Sequence, residues 1–488
     1  MRRRVLILAL LLCSSAVLAR SPKYQKPSVE IPQNWQAPSP WRTAAPKDSI
    51  PKGAWWGLFA DPELSQYEQN AVANNQTLKA AVARLAEARS FARITAADLY
   101  PQLSAGVSAQ RQRLSGNRPL LGGTAPTTPV TQSVFQIPFD LNYEVDLFGR
   151  VRYSVQAANA NYQASAADLE NVRLTITAEV AADFFQLREL DAEMAVVQKA
   201  IDYEQKGLQL VENRHAGGAS SGLDVAQQET LLDASRAQLS LLQQQRDQFQ
   251  HALATLQGVP ASNFVAAVKP LAAAPPAVPL ALPSELLERR PDVATAERDA
   301  AAANARIGVA RAALFPSISI GGAGGFESRA ISSLLNVSST FWSLGISALQ
   351  PVLNGGRNRA VLENARASYE ENAANYRESA LVAFQQVEDA LSGLNALASA
   401  YDSQQRAVSA ADRALTLANA RYSGGLVTYL DVITAQEQLL TNERLAAQIQ
   451  GQRLISSVLL VKALGGGWDS ASLSAIGIKP SIKSAFQP

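Results

Sequence analysis

The sequence predicts a mainly α protein that carries a transmembrane β-barrel and is built from two copies of one unit. Three observations predict this. First, landmarks recur in order: Arg214-His215-Ala216-Gly217-Gly218 with Leu223-Asp224-Val225 is repeated roughly 207 residues later as Arg421-Tyr422-Ser423-Gly424-Gly425 with Leu430-Asp431-Val432. Leu99-Tyr100-Pro101-Gln102-Leu103-Ser104 likewise recurs as Leu314-Phe315-Pro316-Ser317-Ile318-Ser319, and Leu147-Phe148-Gly149-Arg150 as Asn354-Gly355-Gly356-Arg357. Second, long stretches without Pro keep a helical 3/4 spacing of apolar residues. Third, four short segments alternate strictly between apolar and polar residues.

The chain opens on a targeting segment. Arg2-Arg3-Arg4 is a positive start, residues 5–12 are an apolar run too short to span a bilayer, and Val17-Leu18-Ala19 offers small residues for cleavage before Arg20. Cys13 is a candidate lipid-attachment site, but Leu12 stands where lipoprotein signals want Gly, Ala or Ser. Plain cleavage is the preferred reading. No later segment reads as a transmembrane helix, so membrane insertion requires a β-barrel.

The helical stretches come next. Between Gly149 and Arg214 there is no Pro and one late Gly, and Leu169, Val172, Ile176, Val180, Phe184 and Leu187 form one apolar seam. Such a helix reaches roughly 100 Å at 1.5 Å per residue, a length found in coiled coils rather than globular domains. The alternative is several ordinary helices in a bundle. A second such stretch runs from Asn358 to about Ala420. Asp183 and Glu189 read as ordinary helix-surface acids.

The strands follow from period 2. Phe135, Ile137, Phe139, Leu141, Tyr143 and Val145 alternate with Gln136, Pro138, Asp140, Asn142, Glu144 and Asp146. The segment from Pro101 alternates Leu103, Ala105, Val107 and Ala109 with polar or small residues. In the second half, Ile318 and Ile320, and then Trp342, Leu344, Ile346 and Ala348, do the same. About ten tilted residues cross the hydrocarbon layer, with lipid on the apolar side and water on the other. A soluble sheet packed on helices would also alternate; export, strand length and the acidic face favour the barrel. Four strands cannot close one, because about eight are needed even for a filled interior and open edges in lipid are forbidden. The strands must therefore come from several chains.

Ordered motifs carry a family resemblance. They are Pro22, Tyr24, Pro27, Pro32 and Trp35; Trp55-Trp56-Gly57-Leu58-Phe59; Asp61-Pro62-Glu63-Leu64; Asn74-Asn75; Tyr143 through Arg150; Glu288-Arg289-Arg290-Pro291-Asp292; Gln350-Pro351-Val352 through Arg357; and Ala463-Leu464-Gly465-Gly466-Gly467-Trp468. In this order they resemble the outer membrane factor family, the TolC-like exit ducts, and within it the efflux lipoprotein branch typified by OprM and NodT. The resemblance implies a homotrimeric α/β barrel duct in the cell outer membrane. Each protomer would give four strands to a twelve-stranded barrel, with a long coiled-coil helical barrel in the periplasm. It also implies a smaller equatorial domain and contact with outer membrane lipid. A periplasmic adaptor protein would dock at the tip, and an inner-membrane transporter, proton-driven in the efflux branch, would supply the energy.

The expected organisation is a signal peptide at 1–19 and an N-terminal equatorial segment at 20–60. A first repeat follows at 61–260, with a strand hairpin about 99–147 and a tip about 214–222. After an equatorial linker at 261–283 comes a second repeat at 284–467, with a strand hairpin about 314–353 and a tip about 421–429. Residues 468–488 form a tail. Gly217-Gly218 and Gly424-Gly425 supply the positive φ of tight helix hairpins. With Arg214, Arg421, Tyr422 and Leu426, they are the expected tip and adaptor-docking residues. Asp224 and Asp431 follow the turns and have two readings. They form carboxylate rings gating a narrow lumen, or they are acids favoured at a helix N-terminus by the macrodipole. Asp140, Glu144 and Asp146 are expected to line the barrel lumen.

Composition excludes other classes. Net charge is +2 with acids and bases interspersed, which argues against nucleic acid, and two His with one Cys leave little for metal or nucleophilic chemistry. Gly321-Gly322-Ala323-Gly324-Gly325 lacks the Lys-Ser/Thr ending of a phosphate loop. An enzyme is not expected, and no cofactor is. The leading expectation is a passive outer-membrane channel of a tripartite efflux pump for drugs, toxic compounds or metal ions. The exit duct of a type I secretion system is the alternative. A pore-less periplasmic coiled-coil scaffold is the alternative from another class.

Overall fold

The computed structural model describes residues 24–32, 53–116, 128–269 and 283–468, with isolated residues between and after them. The signal segment, Cys13 and most of the tail lie outside the described residues. The described part is mainly helical with one antiparallel sheet. Its elements are α1 (Pro62–Asn74), α2 (Gln76–Ala97), β1 (Gln102–Ala105), β2 (Ser108–Leu114), β3 (Val130–Glu144), α3 (Arg150–Ala216) and α4 (Gly222–Leu256). Then come α5 (Pro283–Arg289), α6 (Pro291–Ala312), β4 (Ser317–Ser328), β5 (Thr340–Leu349), α7 (Arg357–Ser423) and α8 (Tyr429–Ala463).

The helix lengths follow from uninterrupted good helix formers bounded by caps. Asp61 accepts from the amides of Glu63 (2.8 Å) and Leu64 (3.0 Å) with Pro62 in the first turn, a strong start signal. Long helices α3 and α7 each hold 67 residues, and α4 and α8 each hold 35. The bounds of α3 and α4 (150, 216, 222, 256) recur 207 residues on in α7 and α8 (357, 423, 429, 463). The bounds of α2 (76, 97) recur 215 residues on in α6 (291, 312). No helix among the described residues is long and apolar enough to cross a membrane.

The sheet runs β1 and β2, β3, β4, β5, each antiparallel to the next. β1 and β2 are one strand in unbroken register with β3, from Gln102 opposite Asn142 to Leu114 opposite Val130. The interruption falls at Gly106-Val107 because Pro138 faces Gly106 and has no N–H to donate; only the Gly106 amide bonds across, to the Pro138 carbonyl at 3.0 Å. Register decides the faces. Leu103 pairs with Leu141, Leu141 with Gly322, and Gly322 with Leu344, while Tyr143 pairs with Ile320 and Ile320 with Ile346. The alternating apolar residues of the strands therefore fall on one side of the sheet, with Leu114, Val130, Val134, Phe341 and Leu349 as the exceptions on the other. Polar residues such as Ser104, Asp140, Ser319 and Ser347 fall on the other.

A hydrophobic core lies midway along the helices, where α1, α3, α7 and α8 meet the 3-10 turn Trp55–Phe59. The seam residues Leu169, Ile176, Val180, Phe184 and Leu187 are buried there. Trp55 donates its indole N–H to Thr177 Oγ1 (3.1 Å). Beside this core sits a buried ion network. Asp191 on α3 accepts from Arg188 (2.8 Å) and from Arg246 on α4 (2.6 Å), and Glu63 pairs with Arg188 and Lys269. The network ties the start of α1 and the chain after α4 to the middle of the long helices.

One expectation is corrected here. Glu189 is not a surface acid: it is 5% exposed, packed where α8 passes so closely that a Cβ on Gly451 would lie 2.5 Å from Glu189 Cγ. Burial, with the charge of Glu193 beside it, pushes the Glu189 carboxyl up to about 7 against the bond from Gln186. Asp183 is half-buried and pushed up to about 6 by burial and by Glu179.

Candidate functional site at the helix-hairpin tips

Each long helix ends in a glycine turn and is answered by a capped partner. At the first tip, Gly218 adopts φ +73°, its amide bonds the His215 carbonyl (2.9 Å), and the Ala219 amide bonds the Arg214 carbonyl (2.8 Å). The second tip repeats this: Gly425 at φ +72° bonds Tyr422 (3.0 Å), and Leu426 bonds Arg421 (2.9 Å). These paired bonds are the Schellman stop, which satisfies the last carbonyls of α3 and α7 and needs a residue tolerant of positive φ. Gly217 and Gly424 each stand just before the positive-φ position, with ordinary negative φ.

Asp224 and Asp431 then start the return helices. The Ser221 amide donates to Asp224 Oδ2 (2.9 Å), as does Ser220 Oγ (2.8 Å), while the Asp224 amide donates to Ser221 Oγ (3.2 Å). At the second tip the Thr428 amide (3.1 Å) and Oγ1 (2.8 Å) both donate to Asp431 Oδ2. Both acids belong to capping boxes, in which Asp takes the third position usually held by Glu or Gln. Burial alone would raise the Asp224 carboxyl, but the bonds from Ser220 and Ser221 outweigh it and hold it below the usual carboxylate range. In each case Oδ1 has no hydrogen-bond partner among the described residues.

The two hairpins are joined side by side. The Arg214 guanidinium lies over the Tyr422 ring, 4.7 Å from its centroid, and the Tyr422 and Tyr429 rings meet at 5.0 Å. Tyr429 is buried and donates its hydroxyl to Gln228 Oε1 (2.9 Å), while Gln228 donates to the Glu204 carbonyl (2.9 Å). A Cβ on Gly207 would stand 2.9 Å from that hydroxyl, so α3 is thinned where Tyr429 crosses. Val211, Leu231, Leu415, Val432 and Ile433 close the core around it. Further along, an open groove of about 610 Å3 runs between α3 and α8, lined by Tyr203, Glu204, Gln436, Leu439 and Glu443. Burial raises the Glu204 carboxyl, against the bond from Ser235, with Glu437 adding to the rise.

The expected lumen acids are placed differently from one another. Asp140 and Glu144 lie on the polar side of β3. Glu144 is held by Arg150 (2.7 and 2.5 Å) at the root of α3. Asp146 lies past the end of β3 and receives the amides of Val151 (3.1 Å) and Arg152 (2.9 Å), so it caps the start of α3. Leu426 is exposed at the second turn and Arg421 is exposed beside it. No local pattern in the sequence marks the Tyr429–Gln228 bond, which joins residues 201 positions apart. Ser221-Gly222-Leu223-Asp224 and Thr428-Tyr429-Leu430-Asp431 do carry the Ser/Thr-x-x-acid signal for the capping boxes.

This geometry has known relatives. A sequence model of the family described as outer membrane efflux protein matches residues 68–259 and again 282–466. The chain belongs to the outer membrane efflux protein family. As such it is an outer-membrane channel of an efflux pump. Among curated relatives, the pyoverdine export outer membrane protein OpmQ of Pseudomonas aeruginosa is 37% identical over 89% of this chain and 92% of its own length. The cation efflux system protein CusC of Escherichia coli is 31% identical over 94% of this chain and 97% of its own. Among solved structures, the outer-membrane channel OprN superposes with a TM-score of 0.86 at 29% identity, over 92% of this chain and 99% of that one. The relatives that match this efflux protein over about nine-tenths of its length thus carry different named cargos.

Proposed function

We propose that three copies of this chain close a twelve-stranded barrel in the outer membrane. A helical barrel would continue it through the periplasm, forming the passive exit duct of a tripartite efflux pump. One observation carries this reading: among the described residues the strands and long helices form one layer that does not close on itself, although residues 26–35 pack on α7 and residues 261–266 on α4. β1 and β2, α2 and α4 form one edge; β5 and α7 form the other. On the edge strands Leu103, Val107, Trp342, Leu344 and Ile346 are each at least 70% exposed and belong to the apolar face. An open sheet edge cannot stand in hydrocarbon, whereas edge-to-edge closure pairs every backbone group.

The equal element lengths and the double family match support two copies of one unit. The junction inside a protomer then serves as the template for the junction between protomers. β3 pairs with β4 by placing Phe139 opposite Gly324. Transferred through the 207- and 215-residue offsets, this places Ile346 of β5 opposite Ala109 of β2 in the next copy. The double variant Ile346→Cys/Ala109→Cys tests closure. Oxidation in membranes should give covalent dimers and trimers and nothing larger. No cross-link, or a ladder beyond trimer, would overturn it.

At the periplasmic end the exposed Leu223, Leu426 and Leu430 beside Gly217-Gly218 and Gly424-Gly425 form the docking surface for a periplasmic adaptor. An inner-membrane transporter, proton-driven in this branch, supplies the energy. The transporter also sets the cargo, because relatives named for pyoverdine and for cations match this chain over about nine-tenths of its length. Asp224 and Asp431 both cap and gate: Oδ2 holds the helix start, and the free Oδ1 atoms of three copies present a carboxylate ring to the lumen. Asp140 and Glu144 make the exit acidic.

A further inference from the structure

The apolar side of the sheet changes chemistry at the end far from the helices. Along the first strand, Leu103, Ala105 and Ala109 share the face of Leu141, Phe139 and Phe135. The next two residues on that face are Arg111, opposite Ser133, and Arg113, opposite Thr131. Both side chains are exposed, and neither has a hydrogen-bond, ion-pair or ring partner among the described residues.

Their level is set by the strand. On the same face of β3, Tyr143, Leu141, Phe139, Ile137 and Phe135 fill the apolar band from the helix side outward. Phe135 is the last aromatic, and Arg111 stands two residues, about 7 Å, beyond it. A cation facing lipid costs about 2–4 kcal/mol at the bilayer midplane but only about 0–1 near the interface. Arg111 and Arg113 therefore sit at headgroup level. They lie on the extracellular side, since the helices leave from the opposite end of the sheet.

Among the described residues no acid pairs with them. Residues 111–139 and 328–350 contain no Asp or Glu, while Arg118 and Arg329 add further positive charge. The nearest acid at this end, Glu327, lies on the polar face and accepts from Gln136 (2.7 Å). The neighbouring copy, by the transferred register, brings Leu344 beside Arg111 and Trp342 beside Arg113. Neither is an anion.

We propose that Arg111 and Arg113 bind the phosphate groups of the anionic glycolipid in the outer leaflet. Two arginines whose backbone positions lie about 7 Å apart on one strand face present bidentate forks to lipid-borne phosphates. This rests on the outer-membrane duct reading and adds a ligand to it. The lipid becomes a binding partner that stabilises the folded barrel by mass action, and not only the solvent around it.

The test uses the purified full chain in detergent and follows the temperature at which the SDS-resistant trimer dissociates. Three probes are compared: bisphosphorylated lipid A, the same lipid A stripped of phosphate, and inorganic phosphate at equal concentration. Bisphosphorylated lipid A should raise the temperature by several degrees and the other two should not. Arg111→Gln/Arg113→Gln should lose most of that shift, and Arg111→Lys/Arg113→Lys should keep part of it. An equal shift with the stripped lipid or in the Gln variant would overturn the proposal, and an equal shift with inorganic phosphate would overturn the assignment to lipid. The same preparations are placed in planar bilayers. Conducting trimers without a lipid response would sink the phosphate site alone, whereas wild-type protein that neither trimerises nor conducts would strike the duct reading.

Discussion

The guanidinium of Arg214, at the end of one long helix, lies over the ring of Tyr422, at the end of the other. Their centres are 4.7 Å apart, so the two hairpin tips of the chain are tied by a contact that needs no matching charge.

This contact should hold the tip shut. Arg214→Ala and Tyr422→Leu should each raise single-channel conductance in planar bilayers, and the double variant should add little. A partly exposed cation–π pair is worth about 0.5–1 kcal/mol, so the coupling from a double-mutant cycle on thermal unfolding should fall in that range. Additive conductance effects would separate the two residues.

Cap and gate at the first tip can be told apart. Ser221→Ala removes the reciprocal cap and should cost about 1 kcal/mol of stability, while leaving the Asp224 carboxylate and any cation block intact. Asp224→Asn removes the charge and keeps an amide able to accept; it should weaken block by multivalent cations with a smaller stability loss. If Ser221→Ala relieves block as strongly as Asp224→Asn, the carboxylate is not the gate. Asp431→Ala should likewise increase leak current.

Glu189 should make stability pH-dependent. Its folded carboxyl titrates at about 7, above the ordinary value of 4.5, so between those values the folded chain holds a proton that the unfolded chain has released. Stability from this group is therefore full below about pH 4.5, declines as pH rises, and is lost above about 7, amounting to about 3 kcal/mol. Glu189→Gln should flatten the profile of unfolding temperature over that window and raise it at pH 8. A slope unchanged in the variant would place the titration elsewhere.

Asp191 neutralises two buried cations. Asp191→Ala leaves Arg188 and Arg246 without their shared carboxylate at 2.8 and 2.6 Å and should destabilise by about 3–5 kcal/mol. Loss of folded protein on purification would be the expected extreme, and limited proteolysis should cut first in the chain following α4. Replacing Arg246 as well, as Arg246→Met/Asp191→Leu, should recover part of the loss, because an apolar pair needs no charge balance.

How much of this was legible depended on how local each property is. Helix spans and strand alternation are readable because they repeat every few residues, and α3 and β3 match the stretches that period 3.6 and period 2 mark out. The glycine turns were equally local. The capping boxes were written plainly at Ser221–Asp224 and Thr428–Asp431, yet an acid after a turn also suits a gate, and only the bond from each cap amide to Oδ2 shows the first role. Asp146 continues the alternation of β3 on paper, but the strand ends at Glu144 and its carboxylate turns to the amides of α3.

The sequence by itself determined the lengths and order of the elements, the glycine stops and the apolar face of each strand. These depend on neighbours along the chain, where steric preference and periodicity act. Only the tertiary structure decided which faces coincide, that Gly451 leaves room to bury Glu189, and that Arg214 meets Tyr422. Burial and partnership depend on residues brought from hundreds of positions away, and no local pattern encodes which they are.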